Sequence, residues 1–445
     1  MISREPLLHV GILEGSPAVT GSFEGPFTAP DGRVVSGAFR FSHDGAQWKG
    51  ELEGSAHTYG LEILEYRPAR TDATLRLDDV TIGVSFHWER KEPQVFRGSL
   101  KLLHIPGKGL TAINSVPLEE YLTSVISSEM SATAPPALLR AHAITSRSWL
   151  VAMLERSREE RYAIPVRTPV TDETREVSVW YTREDHANFD VCADDHCQRY
   201  QGITKIISRS AEEAVQSTRG QFLVYQDEIC DARFYKACGG RTEEFASAWE
   251  PKDISYLRSV SDAPDELPPL RTEEEMQHWL AAPPQAYCNT TDADVLRQVL
   301  PSFDQETTDF FRWTVTCSGE VLSALVRKKS GVDFGRLREL VPVRRGPSGR
   351  ITALRIVGEK RTITVGKELE IRRWLSPSHL YSSAFVVRSK RTADGFAEEF
   401  ILNGAGWGHG VGLCQIGAAV MATKGKTAEE IVLHYFRGAT LRTQY

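Results

Sequence analysis

In this 445-residue chain the pattern changes at Val116-Pro117-Leu118-Glu119-Glu120-Tyr121-Leu122-Thr123-Ser124-Val125-Ile126-Ser127-Ser128-Glu129-Met130. Leu118, Leu122, Val125 with Ile126, and Met130 recur at roughly helical spacing, which predicts an amphipathic helix. Before it, from Leu7 to about Thr111, short alternating runs are parted by glycine-bearing turns. Examples are Val34-Val35-Ser36-Gly37-Ala38-Phe39-Arg40-Phe41 and Val80-Thr81-Ile82-Gly83-Val84-Ser85-Phe86. Period-two alternation of β-branched and aromatic residues predicts antiparallel sheet. After it, Pro135 and Pro136 stop the helix and open a second, Ala137 to Leu154, which contains neither Gly nor Pro. Two helices are thus expected to meet near Glu129.

Further on, Ile207 to Thr218 reads as a helix stopped at Arg219-Gly220, with glycine where a C-terminal cap is expected. Residues 255–300 carry Pro264, Pro268, Pro269, Pro283 and Pro284 among charges and read as a surface insertion. Arg350 to Val357 and Thr362 to Val365 flank a polar turn and predict a hairpin. The chain closes with helices at Cys414 to Thr423 and Thr427 to Phe436, the latter opened by a Thr427/Glu430 capping box. The expected fold class is α+β: a β-rich N-terminal region, 1–112, and a mixed helix and sheet core, 113–445. No internal repeat is evident.

Composition narrows the function classes. Fifty-three basic and 59 acidic residues give a formal charge of -6, so no bulk cationic field holds a polyanion and nucleic acid is not an expected partner. No run of 18 apolar residues occurs, so no transmembrane segment is expected. The opening residues hold no apolar stretch of secretory-signal length, which points to a cytoplasmic protein or a trimmed chain. Seven cysteines, an odd number spread over a long chain, leave thiols, metal and disulfides all open.

Four segments carry possible chemistry. Six of the fourteen residues from Gly404 to Gly417 are glycine, which suits close backbone approach to a ligand or to another segment. Trp407 and His409 would then be displayed for a sugar ring by stacking and hydrogen bonding, or else the run is a tight packing junction. His186, Cys192 and Cys197 have zinc-like spacing; His196 or a water completes four ligands, and the alternative is two thiols or a local disulfide. Glu129 ends its helix at the proline break, where its carboxyl faces a cleft or plain solvent. Arg147 would bind a carboxylate or orient Glu129, or form a structural ion pair. Phe234-Tyr235-Lys236-Ala237-Cys238-Gly239-Gly240-Arg241 is either a site edge or a strand-to-loop turn. Asp333-Phe334-Gly335 lacks every companion motif of a kinase and is set aside.

The order of Val116-Pro117-Leu118-Glu119-Glu120-Tyr121-Leu122 with Ser128-Glu129-Met130, Ala141-His142-Ala143-Ile144-Thr145-Ser146-Arg147-Ser148-Trp149, Cys238-Gly239-Gly240-Arg241-Thr242 and Gly406-Trp407-Gly408-His409-Gly410-Val411-Gly412-Leu413-Cys414-Gln415 resembles the stage II sporulation protein D (SpoIID/LytB) family, over about residues 98–440. The resemblance implies a cell-wall lytic transglycosylase acting on peptidoglycan glycan strands that lack stem peptides, or a glycan-binding enhancer of a cell-wall amidase. It implies Glu129 as catalytic acid, Arg147 as the functional arginine, and structural zinc on His186, Cys192 and Cys197. Tyr235, Gly239, Gly240, Trp407, His409 and Gln415 are the implied substrate contacts. A cell-wall substrate implies an extracytoplasmic site, periplasm or cell wall. Cys238 and Cys414 depart from the family, standing where many members carry serine.

Overall fold

The computed structural model describes residues 2–83, 89–131, 134–159, 175–180, 186–194, 196–206, 209–299 and 308–445. By its own packing the chain divides into two units that interleave in sequence. The first comprises Met1–Thr133, Asp185–Gln221 and Thr443–Tyr445, the second Ala134–Glu184 and Phe222–Arg442. A division near residue 112 would fall inside the strand Gly109–Pro117. The class is α+β.

In the first unit the alternating N-terminal runs form an extended, largely antiparallel sheet. Its order is Val191–Cys192, Leu7–Ser16, Gly109–Pro117, Ser99–Ile105, Ile63–Pro68, Val19–Thr28, Val34–His43, Trp48–Leu52, Ser55–Tyr59. Thr74–Ile82 pairs with Val19–Thr28 and with Arg90–Phe96. Residues 84–86, expected to continue that strand, lie outside the described residues. Phe23 lies at the centre, with Phe27 and Phe39 each 4.6 Å from its ring and Tyr66 5.1 Å away. Every other strand residue turns inward to this aromatic layer, and each buried ring contributes about 1.5–3 kcal/mol by leaving water.

Leu118–Glu129 is helical as its periodicity predicts, and its apolar face is fully buried. Pro136–Glu159 is helical in the second unit. Arg209–Ser217 is helical, and Gly220 beyond it has φ 65°. The expected hairpin forms antiparallel between Ile351–Gly358 and Thr362–Gly366. Thr427 and Glu430 make the capping box that opens Ala428–Tyr435. Among the described residues no helix is long and apolar enough to cross a membrane.

The segment 255–300 corrects its sequence reading. Instead of lying on the surface it buries Leu257, Leu270, Met276 and Trp279, and Leu270, Met276 and Trp279 pack with Ala384, Val386 and Ala405. Pro264, Pro268 and Pro269 precede the helix Glu273–Ala281, and Pro283 and Pro284 lie between it and Ala293–Val299.

A three-stranded sheet, Arg312–Ser318, Ala397–Ala405 and Phe385–Arg391, leads into the glycine-rich run. The Trp313 indole lies across Gly404, where an added Cβ would come within 2.1 Å of the ring, and its Nε1 donates to the Gly406 carbonyl at 2.9 Å. Gly404→Ala is therefore expected to cost about 1–3 kcal/mol through overpacking. A urea titration reads this as a lower unfolding midpoint, and an unchanged midpoint would contradict the close fit.

Candidate functional site

Glu129, the last residue of its helix, is half-buried, and the Arg199 amide donates to its Oε1 at 3.3 Å. The segment bearing that amide is anchored to the same helix. The Gln201 amide donates to Ser124 Oγ at 3.1 Å, and the Tyr200 ring stacks on Tyr121 at 5.1 Å. The Tyr200 hydroxyl donates to Asn114 Oδ1 at 2.6 Å. Ser124 and Tyr121 lie about one and two turns before Glu129, so the carboxylate and its amide partner share one rigid support.

Just upstream, His186, Cys192, His196 and Cys197 converge, with one donor atom from each within 4.8 Å of the others. His186 Nε2 is 3.4 Å from Cys197 Sγ, and His196 Nδ1 is 3.5 Å from Cys197 Sγ and 3.9 Å from Cys192 Sγ. Tetrahedral zinc with ordinary Zn–S and Zn–N bonds requires nitrogen–sulfur separations of about 3.6 Å. Donors and spacing fit that ion, and neither Cys192 nor Cys197 is in a disulfide. At the fourth position, left open by sequence, His196 lies within reach of the other three donors.

The sheet positions this quartet. Val191–Cys192 pairs in parallel with the first strand, Cys192 opposite Gly11. A Cβ on Gly11 would lie 2.5 Å from the Phe189 ring, and Phe189 stacks on His186 at 4.5 Å. Glycine at position 11 therefore admits the ring that orients a donor histidine.

In the second unit the glycine-rich run is a packing junction. Gly406, Gly408, Gly410 and Gly412 have φ of 73°, 100°, 86° and 85°, conformations closed to most side chains. A Cβ on Gly406 would also meet the Cys238 carbonyl oxygen at 2.7 Å, and one on Gly412 the Arg233 carbonyl at 2.2 Å. Buried Arg350 clamps the run, donating from Nε and Nη2 to the Gly408 carbonyl at 3.1 and 3.0 Å and from Nη1 to the Cys238 carbonyl at 3.3 Å. Glu243, fully buried, donates its amide to the Gly410 carbonyl at 2.6 Å. Its Oε1 accepts from Ser247 Oγ at 2.9 Å and its Oε2 from Ser348 Oγ at 2.5 Å. Burial pushes its carboxyl up from the ordinary range. Sequence reasoning missed both residues because isolated charges normally read as solvated.

Among the expected substrate contacts, Trp407, Tyr235 and His409 belong to this junction. Trp407 is half-buried, its ring 4.3 Å from Tyr381 and 4.7 Å from Phe310. His409 lies between Tyr235 at 5.3 Å and Trp249 at 4.9 Å. The Val411 amide donates to its Nδ1 at 3.1 Å. Burial, then the cations Arg233, Arg350 and Arg372, hold its pKa well below 6.5, so the ring is neutral. The Tyr235 hydroxyl is buried without a partner.

Other expected contacts turn inward. Gly240 faces the Trp279 ring, where a Cβ would meet it at 2.6 Å, and the Gly239 carbonyl accepts from Trp279 Nε1 at 3.0 Å. Gln415 is 2% exposed, and its side-chain amide donates to His142 Nε2 at 3.1 Å, so it braces the interior instead of meeting solvent. Arg147 has no exposed surface and lies in the second unit, whereas Glu129 lies in the first.

Residues 106–225 match the family model described as Stage II sporulation protein. The chain carries a stage II sporulation protein domain. That domain holds Glu129, Arg147 and the His186/Cys192/His196/Cys197 quartet. Residues 243–412, which include Arg350, Trp407 and His409, match a domain of unknown function (DUF8618). Proteins named Stage II sporulation protein D from Bacillus amyloliquefaciens and Bacillus subtilis (strain 168) are 26% and 25% identical over 332 and 331 residues. These alignments cover 74% of this chain and 75% and 76% of theirs. A protein named Amidase enhancer from Bacillus subtilis (strain 168) is 21% identical over 249 residues, 52% of this chain and 32% of its own length.

Burial lowers the His142 pKa to about 3, so it stays neutral between Gln415 and Ser146. The unfolded chain binds a proton at this position below about pH 6.5 and the folded chain does not, so stability falls as pH drops through that range. The contribution of His142 to this loss reaches ~1.4 kcal/mol per pH unit below 6.5. His142→Gln is expected to flatten the decline between pH 6.5 and 5 in urea titrations, and an identical slope in variant and wild type would refute it.

Proposed function

We propose that this chain is a peptidoglycan lytic transglycosylase that cleaves the bond between N-acetylmuramic acid and N-acetylglucosamine in denuded glycan strands, releasing 1,6-anhydro products. The observation that carries this reading is the Glu129 carboxyl, half-buried and held by one oxygen on the Arg199 amide at 3.3 Å. Support comes from the relatives' names and from the position of Glu129 inside the matched domain.

Because Oε1 accepts the amide hydrogen, Oε2 is the oxygen that carries the acidic proton. Glu129 gives that proton to the leaving glycosidic oxygen, and the resulting carboxylate takes one from the C6 hydroxyl of the muramic residue. One carboxylate suffices because the attacking hydroxyl belongs to the substrate, so the paired carboxylates of ordinary glycosidases are not required. The half-buried Trp407 ring offers a stacking face for a sugar. Arg147, shut from solvent, is assigned a positioning role. The reading places the protein outside the cytoplasm, where its substrate is.

His186, Cys192, His196 and Cys197 would hold a zinc ion, which cross-links the segment 186–197 and supplies no reactive water in this scheme. Arg199 lies two residues beyond Cys197, so the bracing reaches the amide that orients Glu129. Glu129→Gln keeps the shape and removes the acid. Mass spectrometry of denuded glycan digests is expected to show anhydro products falling by about 10²–10⁴-fold. Undiminished product would remove Glu129 from the chemistry.

The likeness to an amidase enhancer favours one alternative, a glycan-binding protein that modulates a cell-wall amidase. In that case wild type yields no anhydro product at any enzyme concentration, yet still retains glycan strands and stimulates the amidase.

A further inference from the structure

A second cluster of metal-type donors lies wholly inside the second unit. Cys238, Asp262, Cys288 and Cys414 are each at most 1% exposed, and one donor atom from each lies within 4.8 Å of the others. Cys238 Sγ and Cys288 Sγ are 3.3 Å apart. That is nearer the about 3.8 Å sulfur–sulfur edge of a tetrahedral zinc site than the about 2.05 Å of a disulfide bond. We propose that these four residues form a second, closed zinc-binding centre, distinct from the His186/Cys192/His196/Cys197 quartet.

Backbone amides converge on two of the sulfurs, Cys238 and Cys414. The Gly240 amide donates to Cys238 Sγ at 3.3 Å, and the amides of Cys238 and Gly417 donate to Cys414 Sγ at 3.3 and 3.4 Å. Cys414 also caps the N-terminus of the helix Gln415–Thr423, where the helix dipole favours negative charge. Such amides stabilise thiolates, the form that binds metal.

Asp262 decides between metal and disulfide. One of its oxygens accepts from the Tyr435 hydroxyl at 2.6 Å and the other from the Cys288 amide at 2.8 Å. Among the described residues no cationic side chain pairs with it. A disulfide between Cys238 and Cys288 would leave this buried carboxyl without a cation; a divalent cation supplies one. The Arg312 guanidinium, within electrostatic reach of Cys238 and Cys288, offsets part of the thiolate charge. Three soft sulfur ligands and one oxygen select zinc over magnesium or calcium. The ion would fasten the Cys238-Gly239-Gly240 turn to the end of the glycine-rich run.

Zinc content of the full-length protein, after dialysis against a weak chelator, tests the proposal. Wild type is expected to hold two equivalents, and both Cys197→Ser and Cys414→Ser one each. Asp262→Asn keeps all three sulfurs and an acceptor oxygen for the Cys288 amide, while the Tyr435 hydroxyl turns to accept from the new NH2, and it is expected to weaken the second zinc by about 10–100-fold in chelator competition. A single equivalent in wild type that Cys197→Ser removes and Cys414→Ser leaves would overturn the second centre. So would an intact non-reduced mass two hydrogens below the all-thiol value that Cys288→Ser restores.

Discussion

The hydrogen bond from the Arg199 amide to Glu129 is the contact on which the functional reading of the first unit depends. A carboxyl at a helix C-terminus gains nothing from the helix itself, because the peptide dipoles there present carbonyl oxygens, not amides. Its orientation has to come from outside. Here it comes from a strand-like segment that is in turn pinned to the same helix through Ser124 and Tyr121 and to the sheet through Asn114. The last residue of the His/Cys quartet, Cys197, lies two residues upstream of Arg199 on the same segment. An acid whose position is set by backbone and sheet is one whose geometry survives the approach of substrate, which general acid catalysis requires.

In the second unit an equivalent economy operates with glycine. Four residues in left-handed conformation let the run from Gly406 to Gly412 lie against the backbone of residues 233–238. Arg350 and Glu243 then tie it down with bonds to main-chain atoms. Because the partners are carbonyls and amides, the pattern depends on backbone course and not on neighbouring side chains. The aromatic rings of Tyr235, Trp249, Trp407 and His409 pack around this frame.

Much of the architecture was legible because it follows local periodicity. The alternation before residue 111, the helix at Leu118–Glu129, the hairpin around residues 358–361 and the Thr427 capping box are all set by neighbours in sequence. What was not legible depends on distant partners. Gln415 looked like a glycan contact, yet its amide is taken by His142, 273 residues away. Residues 255–300 looked like a surface insertion because prolines and charges dominate their composition, while scattered residues there, among them Leu257, Asp262, Leu270, Met276, Trp279 and Cys288, are buried. The quartet's spacing was visible, but the convergence of His196 on the two sulfurs required the fold of the loop. Arg350, Glu243 and the Asp262 cluster give no local signal, since nothing in sequence tells a buried charge from a solvated one.

The interleaving of the two units constrains how the polypeptide can be made and cut. The chain leaves the first unit after Thr133, returns at Asp185, leaves again after Gln221 and comes back only at Thr443, where the Tyr445 hydroxyl reaches Glu119 at 2.6 Å. A ribosome releasing the chain from its N-terminus therefore delivers the segment that orients Glu129 about 70 residues after Glu129 itself, and the Tyr445 contact later still. Neither unit can be excised as one continuous fragment. Any dissection of the protein has to rejoin the pieces by circular permutation or co-expression, in place of simple truncation.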